Sequence, residues 1–254
     1  MFLIIKRYLF VNSELMLINQ YTLRTNPIRN NNCLIKRALN IKEKKNMSWP
    51  FLAVFFSGWL YIDAAYRGTN WQQWVFRPVT MLLLLFWACQ APNLETSGYL
   101  IIAGLLTALL SDALRMLPSK YLLFSFITLF LSYLLYAISF ALPMSFSFFF
   151  PLPLILLAIG IVVILIVWTR LDNMRWRVID SSMMALLMVW VAGEQYFSLS
   201  NESRFSVIAG ASLLLVAHCI NIIDRYRFSF KLSKALVAAS SFIGHFLIIR
   251  SLFL

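Results

Sequence analysis

The sequence predicts an all-α fold, a polytopic membrane bundle of about eight transmembrane helices. Of its 254 residues, 61% are hydrophobic and only 13% charged. Apolar windows follow one another with short polar joins, and basic residues gather in alternate joins. Soluble domains run at about 45–50% apolar and about 25% charged, so a water-soluble fold is excluded. A spanning helix needs about 20 predominantly apolar residues, and the succession of windows leaves no room for a second soluble domain.

The chain opens on a basic, Asn-rich leader. Residues 1–46 carry nine Lys/Arg against Glu14 and Glu43, and Asn30, Asn31 and Asn32 stand in a row. The apolar run at 1–5 is too short for the core of a signal peptide, and no small-residue cleavage site follows it. The leader reads as upstream sequence from a mis-assigned start, or else as a disordered tail, with 47–254 as the eight-helix transmembrane domain.

Helix 1 is expected near 48–64, ending at Asp63 before Arg67-Gly68. Helix 2, near 74–90, opens on Phe76-Arg77-Pro78 and stops at Ala91-Pro92-Asn93. Helix 3, near 97–113, is an unbroken apolar run to Leu110-Ser111-Asp112, bounded by Pro118. Helix 4, near 121–142, stops at Pro143. Helix 5, near 148–168, is the most apolar and ends at Arg170-Leu171-Asp172-Asn173; its phenylalanine run at 148–150, like the leucines at 82–85, faces lipid or packs in the core. Helix 6, near 178–197, opens on Asp180 and carries Gly193-Glu194 near its far end. Helix 7, near 205–223, lies between Asn201-Glu202 and Asp224-Arg225, and helix 8 near 233–252. Most prolines fall at helix ends, where they cost least. Trp49, Trp71, Trp74, Trp168, Trp176 and Tyr196 cluster at the same ends, as interfacial anchors do.

Lys and Arg accumulate on the cytoplasmic side of membrane proteins. The joins after helices 1, 3, 5 and 7 hold Arg67; Arg115 and Lys120; Arg170, Arg175 and Arg177; and Arg225, Arg227, Lys231 and Lys234. Those after helices 2, 4 and 6 hold Arg204 alone. The pattern predicts an inner-membrane protein with both ends of the bundle outside, N-out and C-out.

Ionisable residues inside spans cost about 2.5–3.5 kcal/mol each at the bilayer centre and normally face the bundle interior. Asp63, Arg77, Asp112 and Asp180 all fall toward the cytoplasmic side in this orientation. On helix 7, His218, Asn221 and either Asp224 or Arg225 share one face. Helix 4 adds Ser132, Tyr133 and Tyr136, and helix 8 adds Ser240, Ser241 and His245. Together they predict a polar cavity toward the cytoplasmic leaflet. Each also has a plainer reading: Arg77 as a snorkelling anchor, Asp63 and Asp180 as end-caps, Asp112 as the partner of Arg115 three residues on, the histidines as packing residues, and Glu194 as interfacial.

Several chemistries are excluded. Two histidines and no HExxH give no zinc-hydrolase ligand set, and there is no nucleophile elbow, Walker loop or dinucleotide fingerprint. Cys33, Cys89 and Cys219 lack disulfide or metal spacing. No metal or other cofactor is implied. The basic charge lies in the leader and in membrane-flanking joins, which argues against nucleic acid as a partner. What remains is acid–base chemistry by carboxylates, or no chemistry.

Trp59-Leu60-Tyr61-Ile62-Asp63-Ala64-Ala65-Tyr66-Arg67-Gly68, Trp74-Val75-Phe76-Arg77-Pro78, Ser111-Asp112-Ala113-Leu114, Leu134-Leu135-Tyr136, Trp168-Thr169-Arg170-Leu171, Gly210-Ala211-Ser212-Leu213-Leu214 and Gly244-His245-Phe246-Leu247-Ile248 form an ordered series. The series resembles the bacterial YhhN family, which is related to the animal lysoplasmalogenases, and spans 47–254. The resemblance implies a membrane hydrolase that cleaves the vinyl-ether bond of lysoplasmalogen to a fatty aldehyde and a glycerophospho-alcohol, with a lysophospholipid-like membrane lipid as its partner. It implies Asp112 as the acid and a cation at Arg77, where the family commonly has Lys before Pro, for the substrate phosphate. Two positions depart from the family's pattern: Ala217-His218 stands where helix 7 typically has Ser-Asp, and Tyr133 where helix 4 often has His-x-x-Tyr. His218 is the candidate base; Tyr136, Asn221 and His245 are candidate substrate contacts. The alternatives are a non-enzymatic lipid-binding or transport protein on the same fold, and a purely structural membrane partner.

Overall fold

The structure, a computed structural model, describes residues 48–67, 70–92, 94–117, 119–143, 151–168, 175–198, 202–227 and 232–254. The leader 1–46 with Cys33, the joins at Gly68, Asn93, Pro118, 169–174 and 199–201, Lys231 and the run 148–150 lie outside them, as do the side chains of Trp49, Arg67 and Trp71.

The described residues form eight α-helices: α1 Ser48–Arg67, α2 Asn70–Ala88, α3 Thr96–Met116, α4 Leu122–Ala141, α5 Pro151–Val167, α6 Arg175–Ser198, α7 Glu202–Tyr226 and α8 Ser233–Arg250. Five of them, α3, α4, α6, α7 and α8 with the 3-10 turn that follows it, are long and apolar enough to cross a membrane. The other three carry shorter apolar stretches, Leu52–Tyr66, Trp74–Ala88 and Pro151–Val167, close to the lower limit of about 17 residues for a span.

Two boundaries differ instructively from the expected ones. Helix α2 begins a turn earlier, at Asn70, so Pro78 lies inside it. Pro78 has no N–H for the carbonyl four residues back; just beyond it, Thr80 donates its hydroxyl to Phe76 O at 2.7 Å and pairs with Ser57 Oγ of α1 at 2.8 Å. Helix α3 continues to Met116, because nothing before Pro118 disfavours helix. Arg115, expected in a join, is therefore a helical residue one turn from Asp112.

A repeat of seven residues joins α3 to α4. Ser111 Oγ donates to Ser125 O at 2.8 Å and Ser125 Oγ returns a bond to Ser111 O at 3.0 Å. One heptad on, Ser132 Oγ donates to Gly104 O at 2.8 Å, and one further, Ser139 Oγ donates to Ser97 O at 2.7 Å. Serines at 125, 132 and 139 thus meet 111, 104 and 97 on an antiparallel neighbour. A heptad spacing keeps one seam facing the partner helix, and hydroxyl bonds and small residues hold helices together where lipid offers no hydrophobic drive. Gly104 also leaves room for the ring of Tyr136, whose Cε1 would stand 2.8 Å from an added Cβ.

Helices α7 and α8 meet by close backbone approach. A Cβ on Gly210 would lie 2.8 Å from Gly244 O, and one on Gly244 would lie 3.0 Å from Gly210 O. The core between α4, α6, α7 and α8 is filled by residues such as Phe140, Met188, Leu214 and Ile248, while Trp87 stacks between Phe246 and Phe253 at 5.2 and 5.0 Å. The outer surface is apolar: α5 buries only Leu156, Gly160 and Val167 and exposes Ile155, Ile161, Val162 and Leu165. Monomers in water rarely sustain so continuous an apolar face, whereas hydrocarbon imposes no cost on it. The chain is a multi-pass membrane protein.

A Cβ at Gly193 would approach Leu152 Cδ2 to 2.3 Å, nearer than any atom at Gly210, yet a leucine methyl can rotate away and a helix backbone cannot. Gly210→Ala is therefore expected to lose about 1–3 kcal/mol of stability through overpacking, and Gly193→Ala less, in melts of the detergent-solubilised protein. Equal losses would refute the backbone contact as the constraint.

Candidate functional site

Five helices surround a polar cavity at one end of the bundle. Its walls are Arg77 of α2; Ala108, Asp112 and Arg115 of α3; Leu129, Ser132 and Tyr133 of α4; Leu214, Ala217, His218 and Asn221 of α7; and Val237, Ser241 and His245 of α8. The space between atoms comes to about 450 Å³, of which water centres can occupy about 40 Å³, room for a few waters. The cavity lies toward the C-terminal ends of α3 and α7 and the N-terminal ends of α4 and α8. Trp74, Trp168 and Trp176, at that end of α2, α5 and α6, are exposed, as an interfacial belt requires.

Arg77 and Asp112 form the centre of the site. Arg77 Nη2 donates to Asp112 Oδ1 at 2.6 Å, with side chains 18% and 14% exposed. Arg77 is therefore an interior group, not a snorkelling anchor, and Asp112 pairs with it across two helices in preference to its own neighbour Arg115. Arg77 Nε is buried without a partner, and a second, smaller cavity of about 210 Å³, lined by Tyr61 and Thr80, touches the other side of the pair.

The geometry fixes how His218 holds its proton. Ser182 of α6 uses its hydroxyl hydrogen on Val178 O at 2.7 Å, so toward His218 Nε2, 3.2 Å away, Ser182 Oγ acts as acceptor. Nε2 then carries the hydrogen, and Nδ1 of the neutral ring keeps a bare lone pair. Nδ1 is buried and has no hydrogen-bond partner among the described residues. The ring stands edge-on to Tyr133 at 5.6 Å. At the deep end, His245 Nδ1 donates to Ser241 O at 2.8 Å, which leaves its Nε2 as an acceptor.

Of the residues expected at the site, Arg77, Asp112, His218, Asn221 and His245 share this cavity. Tyr136 does not line it: at 1% exposure it packs behind the wall, against Gly104, Phe140 and His245. Asp180 is exposed in a separate apolar groove with Phe130, Met183 and Trp190, and Asp63 lies near the end of α1 outside the cavity walls. Asp224 accepts a hydrogen bond from Ser233, tying α7 to α8. Glu194 is buried, at 1% exposure, with Trp190 Nε1 donating to it at 3.2 Å, so its side chain faces the protein interior. Ser241 lines the cavity as expected; the residues not singled out beforehand are Arg115 as a cavity group and Ser182 as the partner of His218. The i, i+3 spacing of Asp112 and Arg115 was the available signal for the first.

Residues 72–252 match the YhhN family. The chain is also 48% identical over 208 residues, 82% of its length and 100% of the relative's, to the membrane protein YhhN of Escherichia coli O6:H1. The same figures hold for YhhN of E. coli O157:H7 and of Shigella flexneri. The chain belongs to the YhhN family. No solved structure matches it. Several of the segments that carried the YhhN resemblance are scattered along the sequence but converge in space. Ser111-Asp112 meets Arg77, Gly210 meets Gly244, and Leu214 and His245, beside those glycines, form the floor of the cavity.

A half-buried ion pair across two helices makes a sharp energetic prediction. Arg77→Met leaves a carboxylate unpaired, and Asp112→Leu a guanidinium; each is expected to cost about 3–5 kcal/mol, whereas the double replacement should cost less than either. Denaturation of the three variants in detergent tests this, and single losses that simply add would show that the two groups are not coupled.

Proposed function

We propose that this YhhN-family protein is a lysoplasmalogenase-like hydrolase that cleaves the vinyl ether of a lysophospholipid. The supporting observation is that a carboxyl group fixed by Arg77 and a bare, buried imidazole nitrogen stand in the walls of one small cavity among the helices. Vinyl-ether hydrolysis asks for those two groups. A proton must reach the β-carbon of the double bond, water must add to the oxocarbenium carbon while losing a proton, and the hemiacetal must collapse to an aldehyde and an alcohol. Overall, one water is consumed and no oxidant or reductant enters.

In this reading Asp112 delivers the proton and His218 Nδ1 accepts the one released by water. Arg77 occupies Oδ1 of Asp112, so Oδ2 is the oxygen through which Asp112 passes a proton to the substrate. Arg77 Nε, His245 and Asn221 contact the substrate, and Tyr136 acts by holding the His245 ring in place. The lipid enters sideways from the leaflet, and the basic joins favour a cavity at the cytoplasmic side of an inner membrane, with both bundle ends outside. A conduit is disfavoured by the Gly210–Gly244 contact, which packs α7 against α8 just beyond the cavity floor. For that reason hydrolysis is preferred to transport.

Purified protein incubated with lysoplasmalogen is expected to release fatty aldehyde above a heat-killed control, and Asp112→Asn to slow release by about 100-fold or more, in the range of lost general-acid catalysis. No aldehyde from the wild type sinks the hydrolase reading; an undiminished Asp112→Asn rate keeps the enzyme and discards the acid. For the orientation, a C-terminal reporter that works only outside the cytoplasm is expected to be active, and one active only in the cytoplasm would reverse it.

A further inference from the structure

The cavity holds two guanidinium groups and one carboxylate, and the carboxylate is taken. Asp112 accepts from Arg77 at 2.6 Å, while Arg115 has no carboxylate within ion-pair distance and no hydrogen bond among the described residues. One carboxylate thus faces two guanidinium groups, and the remaining polar groups of the walls, Ser132, Tyr133, Asn221, Ser241 and the two histidines, do not balance the excess positive charge. A guanidinium held partly out of water without a counter-charge of its own is costly, a cost that an anion from outside would offset. We infer that Arg115 is the phosphate-binding residue of this site, and that the anion it takes is the phosphate ester of a single-chain phospholipid.

Position along the helices supports the assignment. Leu214 and His245 lie at the deep end of the cavity, Asp112 and His218 in the middle, and Arg115 and Asn221 one turn nearer the helix ends, where a head group arrives from the interface. Residues three apart on a helix hold their Cβ atoms about 5–6 Å from each other, a span that the three-carbon glycerol between a phosphate and the opposite ether oxygen can bridge. With phosphate on Arg115, the ether reaches Asp112. The planar guanidinium fork matches two phosphate oxygens at once, and Asn221 beside it offers an amide donor. Arg77 then fixes Asp112, while Arg115 selects substrates that carry a phosphate. The inference deepens the hydrolase reading but depends on it only for the position of the ether.

Binding without turnover separates the two. Full-length protein in detergent is titrated calorimetrically with an ester-linked lysophosphatidylethanolamine, which has no vinyl ether, and with the monoacylglycerol of the same chain, which has no phosphate. Wild type is expected to bind the phospholipid about 10- to 100-fold more tightly, the range for hydrogen bonds to a charged group. Arg115→Gln should bring the phospholipid down to the level of the monoacylglycerol and leave monoacylglycerol binding unchanged, which also shows that the variant is folded; Arg115→Lys should retain part of the preference. Glycerol 3-phosphate should fail to displace the phospholipid at equal concentration. Equal binding of the two lipids by wild type, an Arg115→Gln variant that keeps the preference, or displacement by glycerol 3-phosphate would each overturn the assignment. Loss of aldehyde release with the Arg115-dependent preference intact would sink the hydrolase reading alone. An Arg115→Gln enzyme with unchanged KM for lysoplasmalogen would sink this one alone.

Discussion

A guanidinium and a carboxylate 2.6 Å apart between α2 and α3 set the conditions that the rest of the bundle meets. Neither charge is tolerable in hydrocarbon alone, so α2 and α3 must turn these faces inward, and the helices that close around them must present groups able to share the polar space. That is why Ser132, Tyr133, His218, Asn221, Ser241 and His245 collect from three further helices around the pair, while the outward faces of the same helices are apolar. Burial of the pair against well-packed hydrophobic residues adds little stability in itself. Its value lies in fixing which faces of α2 and α3 meet and in holding one carboxyl oxygen still.

Helices in lipid gain nothing from hiding apolar surface from one another, so close approach has to come from shape and hydrogen bonds. The α3–α4 seam supplies both, with three serines at heptad intervals on α4 donating to carbonyls at matching intervals on α3. The α7–α8 seam relies on glycine at 210 and 244. The two seams lie on either side of the cavity. The glycine contact stands next to Leu214 and His245, so the closest packing of α7 and α8 begins where the cavity ends, and the larger polar residues of both helices lie on the open side of it.

Eight helices and a polar cluster at one end were legible in the sequence, because a span announces itself by length and an ionisable residue within it is conspicuous. Partner choice was not. Whether Asp112 would join Arg115 on its own helix or Arg77 on another is decided by how α2 leans on α3, which no spacing encodes. Asp180 and Asp112 look alike in sequence, one opening an apolar run and the other closing one; a difference of face sends Asp112 into the cavity and Asp180 to a groove against Trp190. Tyr136 was placed in the cavity by its sequence neighbours, but one helical step from Tyr133 turns it onto Gly104 and into the core. The serine heptad went unread in the sequence, because three serines seven residues apart mean nothing until it is known which helix lies opposite.

Tyr133 on α4 and His218 on α7 meet in the cavity wall, their rings edge to face at 5.6 Å. The contact puts an imidazole from α7 against a phenol from α4, so a titratable nitrogen enters the wall without bringing a negative charge. Asp112 is then the sole carboxylate among the described residues that line the cavity, against two guanidinium groups. Ser182 completes the arrangement by accepting from Nε2 of His218, so the lone pair of this imidazole sits on Nδ1, where no described group bonds it.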